Sequence, residues 1–255
     1  MKLLISGICG HMGKEAAALA AGGFAGITLA AGVDIRASGS EPVPTAKSFS
    51  VACRNVDCVV DFSHHSATEA LLEFVTENSL PLVLATTGQT DAEKSRILQA
   101  SERIPLFLSA NYSLGMALIT QFARQAAEMM PEAEIEIIEV HHDRKTDAPS
   151  GTALAIADQL MRSRPCAYIE AGRSGHGKRD RDQIGIHSVR IGDVIGTHTV
   201  MIGTKSETVT LRHEAHSRTL FAEGALTAAC FLAGKKPGLY GMDDLVAQLQ
   251  NKRRY

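Results

Sequence analysis

Tryptophan is absent from this 255-residue chain and aromatic residues make up only 5% of it, so a surface that stacks nucleic-acid bases on rings has little to be built from. Charge of one sign is missing too. Twenty-six Lys and Arg against 28 Asp and Glu leave a formal net charge of −2, which draws the protein to neither a polyanion nor an anionic bilayer. No apolar run approaches the roughly 18 residues that a membrane-spanning helix needs. The five cysteines, Cys9, Cys53, Cys58, Cys166 and Cys230, are odd in number and scattered, with no CxxC pair. That usage fits a reduced, cytoplasmic protein with small buried thiols, not a disulfide framework. With no HExxH and no paired-Cys spacing, no metal is expected. Residues 1–6 read as a first strand leading into a glycine motif, not as a signal peptide. No internal repeat or low-complexity segment is present.

What is present begins with glycine. Leu3, Leu4 and Ile5 form an apolar strand that runs into Gly7-Ile8-Cys9-Gly10-His11-Met12-Gly13, a GxxGxxG variant of the dinucleotide fingerprint. Its glycines permit a tight turn and close approach of a pyrophosphate to the next helix N-terminus. An alanine-rich helix over about 14–21 follows, then a strand over 28–33 ending in Asp34, 21 residues after Gly13. An acid there accepts hydrogen bonds from the adenosine ribose. Arg36 is placed either to meet a 2′-phosphate or to sit in solvent, which leaves NADH and NADPH both open.

After a Ser/Pro-rich loop over 39–54, strands over 58–62, 82–85 and 106–109 alternate with helices over 66–78 and 91–101. That alternation implies a parallel sheet with right-handed crossovers. Ligands bind beyond the carboxyl ends of such strands, and small polar residues stand there, at Asp61–Ser63, 86–88 and Asn111. Leu114, Leu118 and Phe122 stripe one face of a long helix ending near Met130.

Residues 139–153, EVHHDRKTDAPSGTA, concentrate chemistry. Ile135, Ile137 and Ile138 mark a strand before them, and Leu154, Ala157, Leu160 and Met161 a helix over 151–163 after them. A histidine exchanges protons near neutral pH, Lys145 offers a compact positive charge, and Ser150-Gly151-Thr152 opens a helix whose first N–H groups form an anion site. His141 and His142 are strand neighbours, so they point to opposite faces. Together these residues suit a small carboxylate-bearing substrate held beside an acid–base group. Residues 171–182, with Arg173, Lys178, Arg179 and Arg181, read either as a lid over an anionic ligand or as a solvated loop. Strand-like runs over 184–191, 194–202 and 207–212 predict a mixed or antiparallel second sheet. Helices carrying Phe221, Leu226 and Phe231, and over 243–250, close the chain.

The 139–153 motif resembles, complete, the signature E-x-H-H-x-x-K-x-D-A-P-S-G-T-A of the dihydrodipicolinate reductase family. The SVRIGDVIGTHTV run at 188–200 and the HxAxSRxxFAxGAL pattern at 213–226 are similar to that family as well. The resemblance spans essentially the whole chain. It implies a Rossmann-type cofactor domain, about 1–112 plus 222–255, and an α+β substrate domain, about 113–221. It implies reduction of 4-hydroxy-tetrahydrodipicolinate, a small dicarboxylate, with NADH and/or NADPH, by a cytoplasmic homotetramer. Carried over residue by residue, the nucleotide loop falls on Gly7, Ile8, Cys9, Gly10, His11 and Met12. The ribose acid falls on Asp34, and two further cofactor segments on Ala85, Thr86 and Thr87 and on Ser109, Ala110, Asn111 and Tyr112. His141 becomes the acid–base group and Lys145 the proton donor, with His142, Ser150, Gly151 and Thr152 on the substrate carboxylates. Ile8 and Ala85 depart from the commoner Ala and Gly, which should narrow the crevice. Where relatives often carry arginine after the ribose acid stands Ile35, which leans toward NADH or dual use. Two rivals are a different dehydrogenase on the same scaffold and a non-catalytic NAD(H) sensor, which would need no acid–base pair beside an anion site.

Overall fold

Leu3, Leu4 and Ile5 are fully buried in β1 (Lys2–Ser6), as a strand covered on both faces requires. The computed structural model describes residues 1–49 and 55–252; Cys53 and the end of the 39–54 loop lie outside them. From β1 the chain runs through α1 (His11–Ala21), β2 (Thr28–Val33), β3 (Thr45–Ala46), β4 (Cys58–Asp61), α2 (Thr68–Glu77), β5 (Leu82–Leu84), α3 (Asp91–Ser101) and β6 (Pro105–Leu108). It then builds α4 (Leu114–Met129), β7 (Glu134–His141), α5 (Gly151–Met161), β8 (Tyr168–Ala171), β9 (Gln183–Arg190), β10 (Thr197–Gly203) and β11 (Thr208–Glu214). It closes with α6 (Thr219–Leu232), β12 (Gly238–Tyr240) and α7 (Met242–Lys252).

Two compact units result: Met1–Ser113 together with the chain from Thr219 onward, and Leu114–Arg218. In the first, seven strands lie in the order β12-β6-β5-β4-β1-β2-β3, parallel at every pairing. Its core is aliphatic, with Leu4, Val59, Leu71, Leu82 and Leu106 buried together. Helix α6 is apolar nearly all round and buries Leu226, Phe231 and Leu232, as a helix enclosed within its unit must. The short strands β3 and β12 were not anticipated. Two or three residues carry too little period-2 signal to register.

In the second unit five strands take the order β11-β10-β7-β9-β8. β7, β9 and β8 are mutually parallel, and β10 runs antiparallel to β7 and β11, so the α/β fold carries its mixed second sheet. Met116, Ala123 and Ala127 of α4 pack with Ile156 and Leu160 of α5 on Ile135, Ile137 and Val200. The expected Leu114–Leu118–Phe122 stripe is therefore not the buried one; Phe122 is 48% exposed. Small alanines let the helix come close to the sheet, and a ring at that position would hold it off. β8 was also missed, and the expected 194–202 strand begins only at Thr197 because Gly192 (φ +50) and its neighbours turn the chain. Arg179 is drawn into this unit, donating to Glu136 Oε1 (2.8 Å) and to the Ile135 and Gln183 carbonyls. It braces the end of the 171–182 loop and offers no free charge to a ligand.

Candidate active site

Two clusters of predicted residues form, one in each unit. In the first, Gly7 adopts φ +75, and a Cβ on Gly13 would lie 2.2 Å from the Gly7 carbonyl oxygen. Loop and helix therefore pass at a distance no side chain permits. α1 has no side-chain cap, its N-cap being Gly10, which leaves its first N–H groups without a capping side chain, next to exposed His11 and half-buried Met12. Asp34 is buried and accepts from Cys9 N and Arg36 N, both at 2.9 Å. Arg36 also pairs with it through Nε at 3.1 Å and Nη2 at 3.2 Å. Burial pushes this carboxyl up, but the Arg36 and Cys9 donors outweigh it and hold the group below the ordinary carboxylate range. Beside them opens a cavity of about 430 Å³ lined by Ser6, Gly7, Asp34, Arg36, Phe62 and His64 among others.

Other cofactor candidates occupy the strand ends, with differences. Ile8 is buried against Gly32 of β2, so its bulk is taken up between loop and sheet instead of narrowing the crevice. Ala85 is half-buried and Thr87 exposed. Thr86 is turned inward, donating to Asp61 Oδ2 at 2.5 Å; burial raises the Asp61 carboxyl, against hydrogen bonds from Ser6, Ser63 and Thr86. Ser109 Oγ donates to the Asn111 carbonyl at 2.7 Å, Asn111 Oδ1 accepts from Ser113 N at 2.8 Å, and Ala110 is exposed. The Tyr112 hydroxyl, one of the expected cofactor groups, is turned into the core. Only 5% of the residue is exposed, and its hydroxyl donates to the Leu84 and Phe107 carbonyls at 2.8 and 3.3 Å. A phenol in an apolar layer needs those partners. Tyr112→Phe is expected to cost about 1 kcal/mol in a denaturant titration and to leave NADH affinity unmoved, whereas a cofactor contact through the hydroxyl would weaken binding.

The second cluster grows from the strand period. In β7, Ile135, Ile137, Glu139 and His141 share the buried face. The apolar inner row thus ends in a carboxylate and an imidazole. Register then completes the site: β10 sets His198 opposite Glu139, while β9 sets Ser188 opposite Glu139 and Arg190 opposite His141. Glu139 is fully buried. It receives Arg190 Nη1 and Nη2 at 2.8 and 2.7 Å and Ser150 N at 3.1 Å, and it bonds Nδ1 of His141. Burial pushes the Glu139 carboxyl up, but the Arg190, Ser188 and His141 donors bring it down to about 2. Burial likewise lowers His141, against the pull of Glu139. His198, buried and edge-on to His141 at 5.1 Å between centroids, is brought down to about 4 by burial and by His141.

Ser150, one of the expected substrate groups, faces inward. It is 1% exposed; its N–H goes to Glu139, and its Oγ caps α5 through Ala153 N (3.2 Å) and meets His198 Nε2 (3.3 Å). Its polar atoms are engaged within the protein, where they cap α5 and brace Glu139. The groups left toward solvent are Lys145, Asp147, His142 and the start of α5. Lys145 Nζ lies 2.8 Å from Asp147 Oδ1. The Asp147 carboxyl is lowered by Lys145 first, with the Gly151 N–H also bonded to it. Among the described residues, His142 Nδ1 is buried with no hydrogen-bond partner. Among the described residues, no group of three or more His, Cys, Asp or Glu side chains is arranged to hold a metal ion. Arg190 and His198 went unassigned in the sequence. Both lie in the 188–200 run, and the signal that finds them is the register of β9 and β10 against the motif strand.

Family profiles described as dihydrodipicolinate reductase, N-terminus and C-terminus, match residues 1–112 and 115–246. The chain is 39% identical over 247 residues to the 4-hydroxy-tetrahydrodipicolinate reductase of Clostridium novyi, covering 96% of this chain and 98% of that one. It is 40% identical over 250 residues to that of Caldanaerobacter subterraneus, with the same coverage. A solved, dipicolinate-bound dihydrodipicolinate reductase from Paenisporosarcina sp. TG-14 superposes with a TM-score of 0.78 at 26% identity, covering 96% of this chain and 98% of that one. An aspartate dehydrogenase from Thermotoga maritima, at 16% identity and TM-score 0.54 over 92% of this chain and 98% of that one, shares the fold alone.

Proposed function

Because the chain belongs to the dihydrodipicolinate reductase family, we propose that it reduces 4-hydroxy-tetrahydrodipicolinate to tetrahydrodipicolinate and water, using NADH or NADPH, in diaminopimelate and lysine biosynthesis. It is an NAD(P)H-dependent oxidoreductase. The glycine loop, Asp34 and the cavity beside them fit a dinucleotide: a Cβ at Gly7 or Gly13 would strike the protein's own backbone, so the tight turn between β1 and α1 needs glycine at both, and the uncapped α1 N-terminus suits a pyrophosphate. When bound, the reduced nicotinamide supplies a hydride.

The carrying observation is the Glu139–His141 pair beside Lys145 and the start of α5. The substrate carboxylates fall to Lys145, His142 and the Gly151 and Thr152 N–H groups. The Asp147 carboxylate, resting on Lys145 and Gly151 in this structure, supports that reading of their donors. Glu139, itself pinned by Arg190, fixes the tautomer and direction of His141, since a carboxylate on Nδ1 requires the N–H there. Lys145 or His141 donates the proton that relieves charge developing on the ring as hydride arrives. Such an acid–base pair is more than a non-catalytic NAD(H) sensor needs. The fold alone also suits other dehydrogenases, but the complete 139–153 motif and the bonding it makes favour the dicarboxylate reductase.

Association as a homotetramer through the second unit's sheet is supported by the face of that sheet away from α4 and α5, where Ile138, Val140 and Met201 are half-buried and Val189 is 40% exposed. Among the described residues no helix is long and apolar enough to cross a membrane, and the cysteine usage supports a cytoplasmic setting. The test generates substrate in place from pyruvate and aspartate semialdehyde with the preceding synthase and follows loss of reduced-nicotinamide absorbance. Oxidation is expected only when synthase and this protein are both present. Protein that binds NADH yet oxidises none of it would overturn the assignment.

A further inference from the structure

The loop after the ribose acid closes on itself through a carboxylate. Glu41 Oε1 accepts from Ser38 N at 2.7 Å and from Ser38 Oγ at 3.0 Å, while Oε2 accepts from Gly39 N at 2.8 Å. Two successive backbone N–H groups and a hydroxyl converging on one anion make a nest of the kind that elsewhere holds phosphate. It lies beside the cofactor loop. Cys9 gives its N–H to Asp34 at 2.9 Å and its thiol to Glu41 Oε1 at 3.8 Å, so one loop residue touches both carboxylates. Arg36, the cation nearest the ribose acid in sequence, already lies on Asp34 through Nε and Nη2.

We propose that Glu41 is a built-in substitute for the cofactor's 2′-phosphate, and that it makes this protein select NADH over NADPH. The inference rests on the dinucleotide reading of the first unit. A 2′-phosphate beside the ribose acid needs an arginine and free N–H donors, and it carries close to two negative charges. Here the arginine is neutralised by Asp34 and the nest is filled by Glu41, so a phosphate meets two carboxylates in place of donors. A 2′-hydroxyl needs only an acceptor, which Asp34 provides. Hydrogen bonds from the Ser38 N–H first, then from its own backbone N–H, the Ser38 hydroxyl and the Gly39 N–H, hold Glu41 down to about 2, so it stays charged across the working range of an enzyme.

The experiment measures dissociation constants of the full chain for NADH and NADPH, and for 5′-AMP and adenosine 2′,5′-bisphosphate as half-cofactor probes, in wild type, Glu41→Gln and Glu41→Ala. A cooperative thermal melt establishes that each variant folds. Wild type is expected to bind NADH more tightly than NADPH by on the order of tenfold or more, as juxtaposed like charges dictate. Glu41→Gln, which removes the charge, and Glu41→Ala, which also empties the nest, are expected to narrow the gap by roughly tenfold. The bisphosphate should gain and 5′-AMP should not. A loop brace without a role in selection would move both cofactors together. Wild-type preference for NADPH, equal affinities, or an unchanged ratio in folded Glu41→Ala overturns the proposal. Failure of wild type to bind either cofactor overturns the dinucleotide reading itself, a separate result.

Discussion

Lys145→Ala is expected to lower kcat by about 10²–10⁴-fold, the range that a positioned general acid contributes, while NADH affinity stays near wild type. Removing Lys145 takes away the ammonium of the 139–153 loop and leaves Asp147 without its partner at 2.8 Å. His141→Gln is expected to act in the same direction but less strongly at neutral pH. Burial holds His141 below its ordinary 6.5, so above that value the ring is mostly neutral imidazole and the donor's role falls to Lys145. As pH falls through 6.5 and below, imidazolium accumulates and can donate in its place. The sign follows: the deficit of Lys145→Ala relative to wild type should shrink as pH falls, and that of His141→Gln should grow. Profiles of kcat against pH for the three proteins decide it. Parallel profiles, or wild-type turnover in either variant, would remove these roles.

Most of the first sheet was legible because its longer strands carry continuous apolar runs alternating with helix-length segments, whereas β3 and β12 were too short to register. Asp91–Ser101 and Thr28–Val33 match the expected bounds. The second sheet was legible as a class but not in detail. β8, four half-buried or exposed residues at an edge, has no alternation to detect, and the spacing of Leu114, Leu118 and Phe122 points to one face of α4 while packing buries another, of Met116, Ala123 and Ala127. At the site, the motif identified its own members but not their partners. That Ser150 faces inward, and that Arg190 and His198 join Glu139, depends on which residues stand opposite one another across strands. Register is long-range information that local spacing does not hold. Glu41 was invisible for a related reason: three donors converge on it only once the loop has folded, and in sequence it is one acid in a Ser/Pro-rich stretch.

Arg190→Met is expected to destabilise the protein by about 3–5 kcal/mol, because it leaves a buried carboxylate without its countercharge. Glu139 is fully buried, and Arg190 grips both its oxygens while also donating to the Asp147 carbonyl at 2.6 Å, so the loss extends to the loop that carries Lys145. Glu139→Gln strands the guanidinium instead and is expected to cost a similar amount, and His141 loses the carboxylate charge that fixes its tautomer. The double variant Glu139→Gln/Arg190→Met should be more stable than the sum of the two losses, since neither charge then remains buried alone. Denaturant midpoints measure all three, and strict additivity would show that the pair is not coupled. The same pair sets an acid limb. Glu139 is held at about 2 against an ordinary 4.5, a depressed folded value, so its contribution is complete above about 4.5 and lost as pH falls toward about 2. Wild type should lose stability across that window more steeply than Glu139→Gln, which has no carboxylate there to protonate. Identical acid limbs would mean that the charge of Glu139 adds nothing to folding. Stability and chemistry share one device here: the arginine that makes a buried carboxylate tolerable also holds that carboxylate where it can orient the histidine.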